Sequence, residues 1–395
     1  MNAEPVHRSS FIVHRWITVV ALFFAARLPL LRVRQLFFDE LFTRWISAKS
    51  FGGILQALQH DSGPPLYYFI VHVFGHPRVL SLIFATIGLA ALLCARAFTA
   101  ATLLAVFAPA VLFAVDGRSY ALCAMFITLG VLALDRERPY SAAIAFVLAA
   151  YSHYYGVLFF PLVRKWKPAT LYLLFLPGLW LAVHQPSEAM GWMQHFAYPD
   201  ALFARPPLAL VMLMAILVIA AVSERRRPAG RTAAVPAAVL IPYVLSIPIY
   251  VPLRFESVVA TPLMLWLASA RRVVVIGLAA CFATWTLIGI VDQAHRAPDA
   301  YREAAAIAAR SREPVVATGY LYLETVTLRP DVGAFPPEQA QHPGWRATAT
   351  TGSGLPAGAF LWIGERNAPE LAILRRTRIV QPVYVNARAM LATVR

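Results

Sequence analysis

The chain is short of acid, of charge altogether and of cysteine. Aspartate and glutamate number 20 in 395 residues against 35 lysines and arginines, and charged residues make up 14% of the sequence. That scarcity, together with 59% hydrophobic residues and a mean hydropathy of +0.62, excludes an ordinary soluble domain and implies a polytopic α-helical membrane protein. The three cysteines, Cys94, Cys123 and Cys281, fall in apolar runs without metal-ligand spacing, which excludes a disulfide framework and a thiolate metal centre. No internal repeat is visible, which counts against a transporter assembled from duplicated halves. A net charge of +15 would suggest a nucleic-acid partner in a soluble protein. Here the arginines sit in short clusters between apolar runs, as the positive-inside rule requires, so no nucleic-acid partner is expected.

What is abundant is apolar sequence in segments. The basic start, MNAEPVHRSSFIVHRW, precedes an apolar run that contains Arg27 and Pro29 and lacks a small-residue cleavage site, the pattern of a retained signal anchor. Apolar runs follow at 16–33, 79–98, 101–115, 120–134, 168–184, 207–222, 235–252, 255–270 and 273–291. The stretch 141–163 has basic flanks at both ends, DRERP and RKWK, so it is expected to form two short helices meeting at YSHYYG, 151–156. The basic clusters then predict about eleven spans, with the N-terminus inside and the C-terminus outside. Residues 1–291 form the expected membrane domain, with a first outer loop at 34–78, and 292–395 a small extracytoplasmic α/β domain. In that domain YREAAAIAARSR and NAPELAILRRT read as helices, and PVVATGY, AFLWIGE and RIVQPVYV as strands. Proline- and glycine-rich stretches at 328–337 and 343–358 read as its loops.

This threading collects the unusual polar residues on one face: Asp39, Glu40, His60, Asp61, Arg78, Asp116, Arg118, Tyr120, His153, Tyr154 and Arg254. Ionisable groups at a membrane boundary are costly unless paired or wet, so their convergence marks a candidate site. Each has a plainer reading as well. Arg78 and Arg254 can snorkel to lipid phosphate, Asp116 and Arg118 can form a local pair, His153 can belong to an aromatic belt, and His60 and Asp61 can simply begin the next helix. Asp39 and Glu40, set between aromatic pairs in QLFFDELF, can act as a general base, hold a divalent cation beside a phosphate, or pair with Arg34 or Arg44. Arginines nearby suit a lipid phosphate, because guanidinium matches phosphate geometry bidentately.

Six motifs, in order over residues 37–268, resemble the polyprenyl-phosphate-sugar-dependent membrane glycosyltransferases of the GT-C superfamily, which include protein O-mannosyltransferases and lipid A aminoarabinose transferases. They are FFDE (37–40), DSGPPLYYFIVHVFG (61–75), RVLSLIF (78–84), DGRSYAL (116–122), YSHYYGVL (151–158) and LRFESVVATPLMLWLA (253–268). Gly63 stands where histidine is common in the family. The resemblance implies a GT-C fold in a bacterial inner membrane, with the site on the periplasmic side. It also implies inverting transfer of a sugar from a polyprenyl-phosphate donor to a hydroxyl of a lipid, glycan or protein. Asp39 would be the catalytic base or a metal-proximal acid, with Glu40 a secondary acid and Asp61 a further acid of the site. Arg254, Arg118 and Arg78 would hold the donor phosphate, and Asp116, Tyr120, His153 and Tyr154 would line the cavity. If a divalent cation takes part, Asp39 and Asp61 are its expected ligands. The competing classes are a transporter or flippase of polyprenyl lipids and a non-catalytic sugar-lipid binding homologue.

Overall fold

The computed structural model describes residues 4–186, with side chains from residue 13, and residues 253–296, 299–342 and 355–395. The expected spans 207–222 and 235–252, and the basic run SERRRPAGR between them, lie outside the described residues. The chain divides into two compact units. One, the membrane unit, comprises 1–34 and 62–295; the other, the C-terminal unit, comprises 35–61 and 296–395. The stretch read from sequence as one outer loop, 34–78, is thus divided between them.

Among the described residues of the membrane unit, the helical stretches Val13–Val33, Pro77–Cys94, Trp166–His184 and the one beginning at Arg272 are long and apolar enough to cross a membrane. Two shorter apolar helices, Tyr120–Asp135 and Pro139–Ser152, pack as a hairpin. Their close approach needs Gly130, where a Cβ would collide with the Phe146 ring. The second of them stops at Ser152, His153 is extended, and the chain turns back as a 3₁₀ helix over Tyr154–Leu162. Gly156 lets that return lie on the backbone of Ala149 and Ala150.

The run 101–115, expected as one span, is instead two short helices, Phe98–Val106 and Ala108–Ala114, broken at Phe107. Pro109 is the cause: it has no N–H to give the carbonyl four residues back, that of Ala105. A broken helix inside a membrane leaves carbonyls that must find other donors. Arg27 supplies them from the first helix, its Nη1 donating to Ala105 O at 2.8 Å and its Nη2 to Leu104 O at 3.4 Å. Thr286 donates to Val106 O at 2.7 Å. Around this repair lies a core of Val19, Phe23, Leu103, Met264 and Phe282.

The C-terminal unit holds a five-stranded sheet among its described residues. The strands are β1 (Val315–Ala317), β2 (Gly333–Ala334), β3 (Phe360–Glu365), β4 (Val380–Val385) and β5 (Ala389–Val394), in the order β2-β1-β3-β5-β4. β1 is parallel to β2 and β3, and β5 is antiparallel to β3 and β4. Helices Ala300–Ala309 and Tyr320–Leu328 contribute Ala304, Ala308 and Leu321 to one side of the core, and helix Pro369–Thr377 contributes Leu371 and Leu374 to the other. PVVATGY, expected as a strand throughout, stops being one at Ala317. Gly319 turns the chain at a φ of +63°, and Tyr320 opens a helix. Trp362, fully buried on β3, donates its Nε1–H to Thr318 Oγ1 at 2.7 Å. The segment Gln35–Asp61 adds two helices to this unit, Phe38–Ser47 and Phe51–Leu58, and Phe38 meets Tyr320 edge-on at 4.5 Å.

Candidate active site

In the membrane unit the candidate residues meet where the first helix, the GPP turn, the DGRSY turn and helix Arg254–Val258 come together. Asp116 is buried and paired with Arg34 at 3.4 Å; Arg34 also donates to Leu112 O at 3.2 Å. Arg78, in the first turn of its helix, gives Nη1 to the Arg34 carbonyl at 2.8 Å. These contacts fix the start of the DGRSY turn and leave Asp116 and Arg78 occupied in holding it.

Arg118 follows on the same turn and donates Nη1 to the Tyr68 hydroxyl at 3.4 Å. The two tyrosines of PPLYYF divide their work, because neighbours on a helix point about 100° apart. Tyr67 is buried, with its hydroxyl 3.0 Å from Pro77 O and 3.0 Å from Ser81 Oγ, and Ser81 reaches Arg118 O at 3.2 Å. Tyr68 meets the guanidinium. Arg254 donates Nη1 to the Tyr120 hydroxyl at 3.1 Å. It begins its helix just after Leu253, whose φ of +67° is a conformation a branched-chain residue rarely adopts, held here at a candidate site.

His153 lies 5.0 Å from the Tyr120 ring and 4.4 Å from the Tyr155 ring. Its Nδ1 accepts from Tyr155 N at 3.2 Å, so in the neutral ring the proton sits on Nε2. Arg118 and Arg254 both lie within electrostatic reach of this imidazole. Arg118, Tyr120, His153 and Arg254 therefore form one cluster, two guanidiniums among phenols and an imidazole. Such a cluster presents charge-assisted donors to an anion. Tyr154 points into a separate contact, donating to Gln185 Oε1 at 3.0 Å, while Gln185 Nε2 donates to Gly63 O at 3.0 Å. Beside Tyr120 lies a small cavity whose walls include Phe23, Phe84, Thr128 and Thr261, and the buried Arg27.

The carboxylates of the first outer loop belong to the C-terminal unit. Asp39 and Glu40 lie in the first turn of helix Phe38–Ser47 and part ways there. Glu40 is fully buried and its Oε2 accepts from Phe37 N at 3.0 Å, capping its own helix; Asp39 remains half-buried. Asp61 is half-buried just beyond helix Phe51–Leu58. Among the described residues no group of three or more His, Cys, Asp or Glu could hold a metal ion. On the same helix Phe42 and Trp45 stand edge-on to the buried His342, and His60 lies 5.9 Å from it. Burial, with help from His60 and Lys49, pulls His342 down to about 4.

Sequence reasoning overlooked Tyr68, Gln185 and the role of Arg27. Tyr68 stood within a quoted motif, and its only signal was a hydroxyl beside a buried one. Gln185 had none, lying just past the end of the apolar run 168–184.

No protein-family model matches the chain, and no curated protein matches it. Among solved structures it is similar to two crystal structures of ArnT from Cupriavidus metallidurans. One, bound to undecaprenyl phosphate, is 11% identical with a TM-score of 0.60; the other, in the apo state, is 13% identical with a TM-score of 0.52. Each likeness covers 98% of both chains. At these identities the likeness establishes the fold: the chain is an integral membrane protein with the architecture of those ArnT structures, the GT-C fold that its motifs resemble.

Proposed function

We propose that the chain is an inverting glycosyltransferase. It moves a sugar from a polyprenyl-phosphate donor to a hydroxyl acceptor, at the extracytoplasmic face of a bacterial plasma membrane. The observation that carries this reading is the cluster of Arg118 and Arg254 around Tyr120 and His153, in a fold shared with an ArnT structure bound to undecaprenyl phosphate.

In the proposed reaction the acceptor oxygen attacks the anomeric carbon as the bond from that carbon to the phosphate oxygen breaks on the opposite face. The departing polyprenyl phosphate gains one negative charge and needs no proton, so fixed cations stabilise it better than an acid would. Arg118 and Arg254 take that role, with Tyr68 and Tyr120 holding their guanidiniums in place. The acceptor proton goes to a carboxylate, for which we propose Asp39. Glu40, turned into its helix end, keeps that helix in shape.

A mass spectrum of lipid and glycan extracts from cells with and without the gene tests this. Loss of one sugar mass from a defined acceptor, with build-up of the corresponding polyprenyl-phosphate sugar, is expected. Identical extracts would refute the proposal.

A further inference from the structure

The basic runs DRERP, 135–139, and RKWK, 164–167, stand apart in sequence and return to the same end of the membrane unit. Helix Tyr120–Asp135 ends in a tight turn, closed by Arg138 N donating to Ala133 O at 2.8 Å, and helix Pro139–Ser152 starts directly behind it. That second helix is about 21 Å long at about 1.5 Å per residue, and the 3₁₀ return over Tyr154–Leu162 covers about 18 Å at about 2.0 Å per residue. The return packs along the helix, so RKWK arrives back where DRERP sits, and the short helix Trp166–Ala169 also packs on helix Pro139–Ser152.

Arg136, Arg138, Arg164, Lys165 and Lys167 are all exposed at this end, against the two acids Asp135 and Glu137. Trp166, 73% exposed, and Tyr140, 53% exposed, accompany them, as aromatic residues do at the headgroup level of a membrane boundary. Ile144, four residues on from Tyr140 and also exposed, continues the surface as an apolar stripe leading away from the cations. Cations above an apolar stripe match a phosphate carried on acyl chains. A free phosphate would use the charges and leave the stripe unused.

We propose that this end of the membrane unit is a docking surface for a phospholipid with two phosphates, a cardiolipin-type headgroup. The headgroup lies across the two basic runs, and an acyl chain follows Tyr140 and Ile144. Guanidinium forks and ammonium groups both suit phosphate oxygens, and the excess of cations over acids favours a doubly charged headgroup over a singly charged one. The surface is distinct from the candidate active site: Arg118 precedes helix Tyr120–Asp135 and DRERP ends it, about 24 Å away along a helix rising about 1.5 Å per residue. It stands whether or not the donor reading does.

The test is a titration of the purified full-length protein by native mass spectrometry, with cardiolipin and with phosphatidylglycerol of matched acyl chains, each repeated in the presence of inorganic phosphate. Cardiolipin is expected to bind at least tenfold more tightly than phosphatidylglycerol and to resist displacement by inorganic phosphate. The variant Arg136→Gln/Arg138→Gln/Lys165→Gln/Lys167→Gln should bring the ratio of the two lipids close to one. Equal binding of both lipids by the wild type overturns the proposal, and that ratio is decisive even where the variant fails to fold. An undiminished preference in a variant that unfolds at the wild-type temperature overturns it as well, by placing the lipid elsewhere. Displacement of cardiolipin by inorganic phosphate would make the patch a site for free phosphate instead.

Discussion

In the C-terminal unit arginines meet carboxylates: Arg329 grips Asp331 at 3.0 and 3.2 Å, and Arg302 faces Glu324 at 3.8 Å. In the membrane unit Arg118 and Arg254 donate to tyrosine hydroxyls, Arg27 donates to backbone carbonyls, and Arg34 takes Asp116. A guanidinium can be fastened by a carboxylate or oriented by a phenol hydroxyl, and both contacts use its rigid fork of N–H donors. The contrast sets the tyrosine-held Arg118 and Arg254, which we propose for the donor phosphate, beside arginines that fasten the C-terminal unit.

Substitutions can break this contrast. The largest effect is expected from Asp39→Asn, which removes the proposed base and should lower transfer in proteoliposomes by about 10³-fold. Near-normal transfer would remove Asp39 from the mechanism. Arg254→Gln should lower it by about 10²-fold, as loss of one charge-stabilising donor does, and Arg329→Gln should leave it within about twofold. Equal losses would erase the distinction between the two units.

A third test concerns pH. Burial pushes Glu324 up to about 7 against the pull of Arg302. The folded state therefore keeps a proton that the unfolded chain releases near 4.5, and stability present at low pH is lost as pH rises toward 7. That loss is on the order of 2 kcal/mol, and Glu324→Gln should flatten it in thermal unfolding curves of the C-terminal unit. The smallest effect belongs to Glu40→Ala, which removes a helix cap at about 1 kcal/mol of stability and should lower transfer far less than Asp39→Asn. Comparable losses of activity would give Glu40 a chemical role.

Parts of this arrangement were legible in the sequence because they rest on local pattern. Helix Ala300–Ala309 and strands β3 and β4 follow from periodicity in YREAAAIAARSR, AFLWIGE and RIVQPVYV. β5 escaped because AMLATV opens on Ala, Met and Leu and carries β-branched residues only at its end, a weaker strand signal than AFLWIGE or RIVQPVYV. The break at Phe107 escaped because an apolar run reads as a span whether or not a proline interrupts its hydrogen bonds. In the site, charge placement pointed to Arg118, Tyr120, His153 and Arg254. Their partnerships were not legible, since Arg254 meets Tyr120 across 134 residues and Arg118 meets Tyr68 across 50. Arg27 stood out in sequence only as a charge in an apolar run; its partners, the carbonyls left by Pro109, lie 77 and 78 residues away.

The central claim is that Arg118 and Arg254 hold a polyprenyl phosphate. Binding of undecaprenyl phosphate to the purified full-length protein, measured by native mass spectrometry for wild type and for the Arg118→Gln/Arg254→Gln double variant, tests it most directly. The account predicts binding by the wild type and at least a tenfold loss in a double variant that unfolds at the same temperature. Equal binding by the two proteins would contradict it.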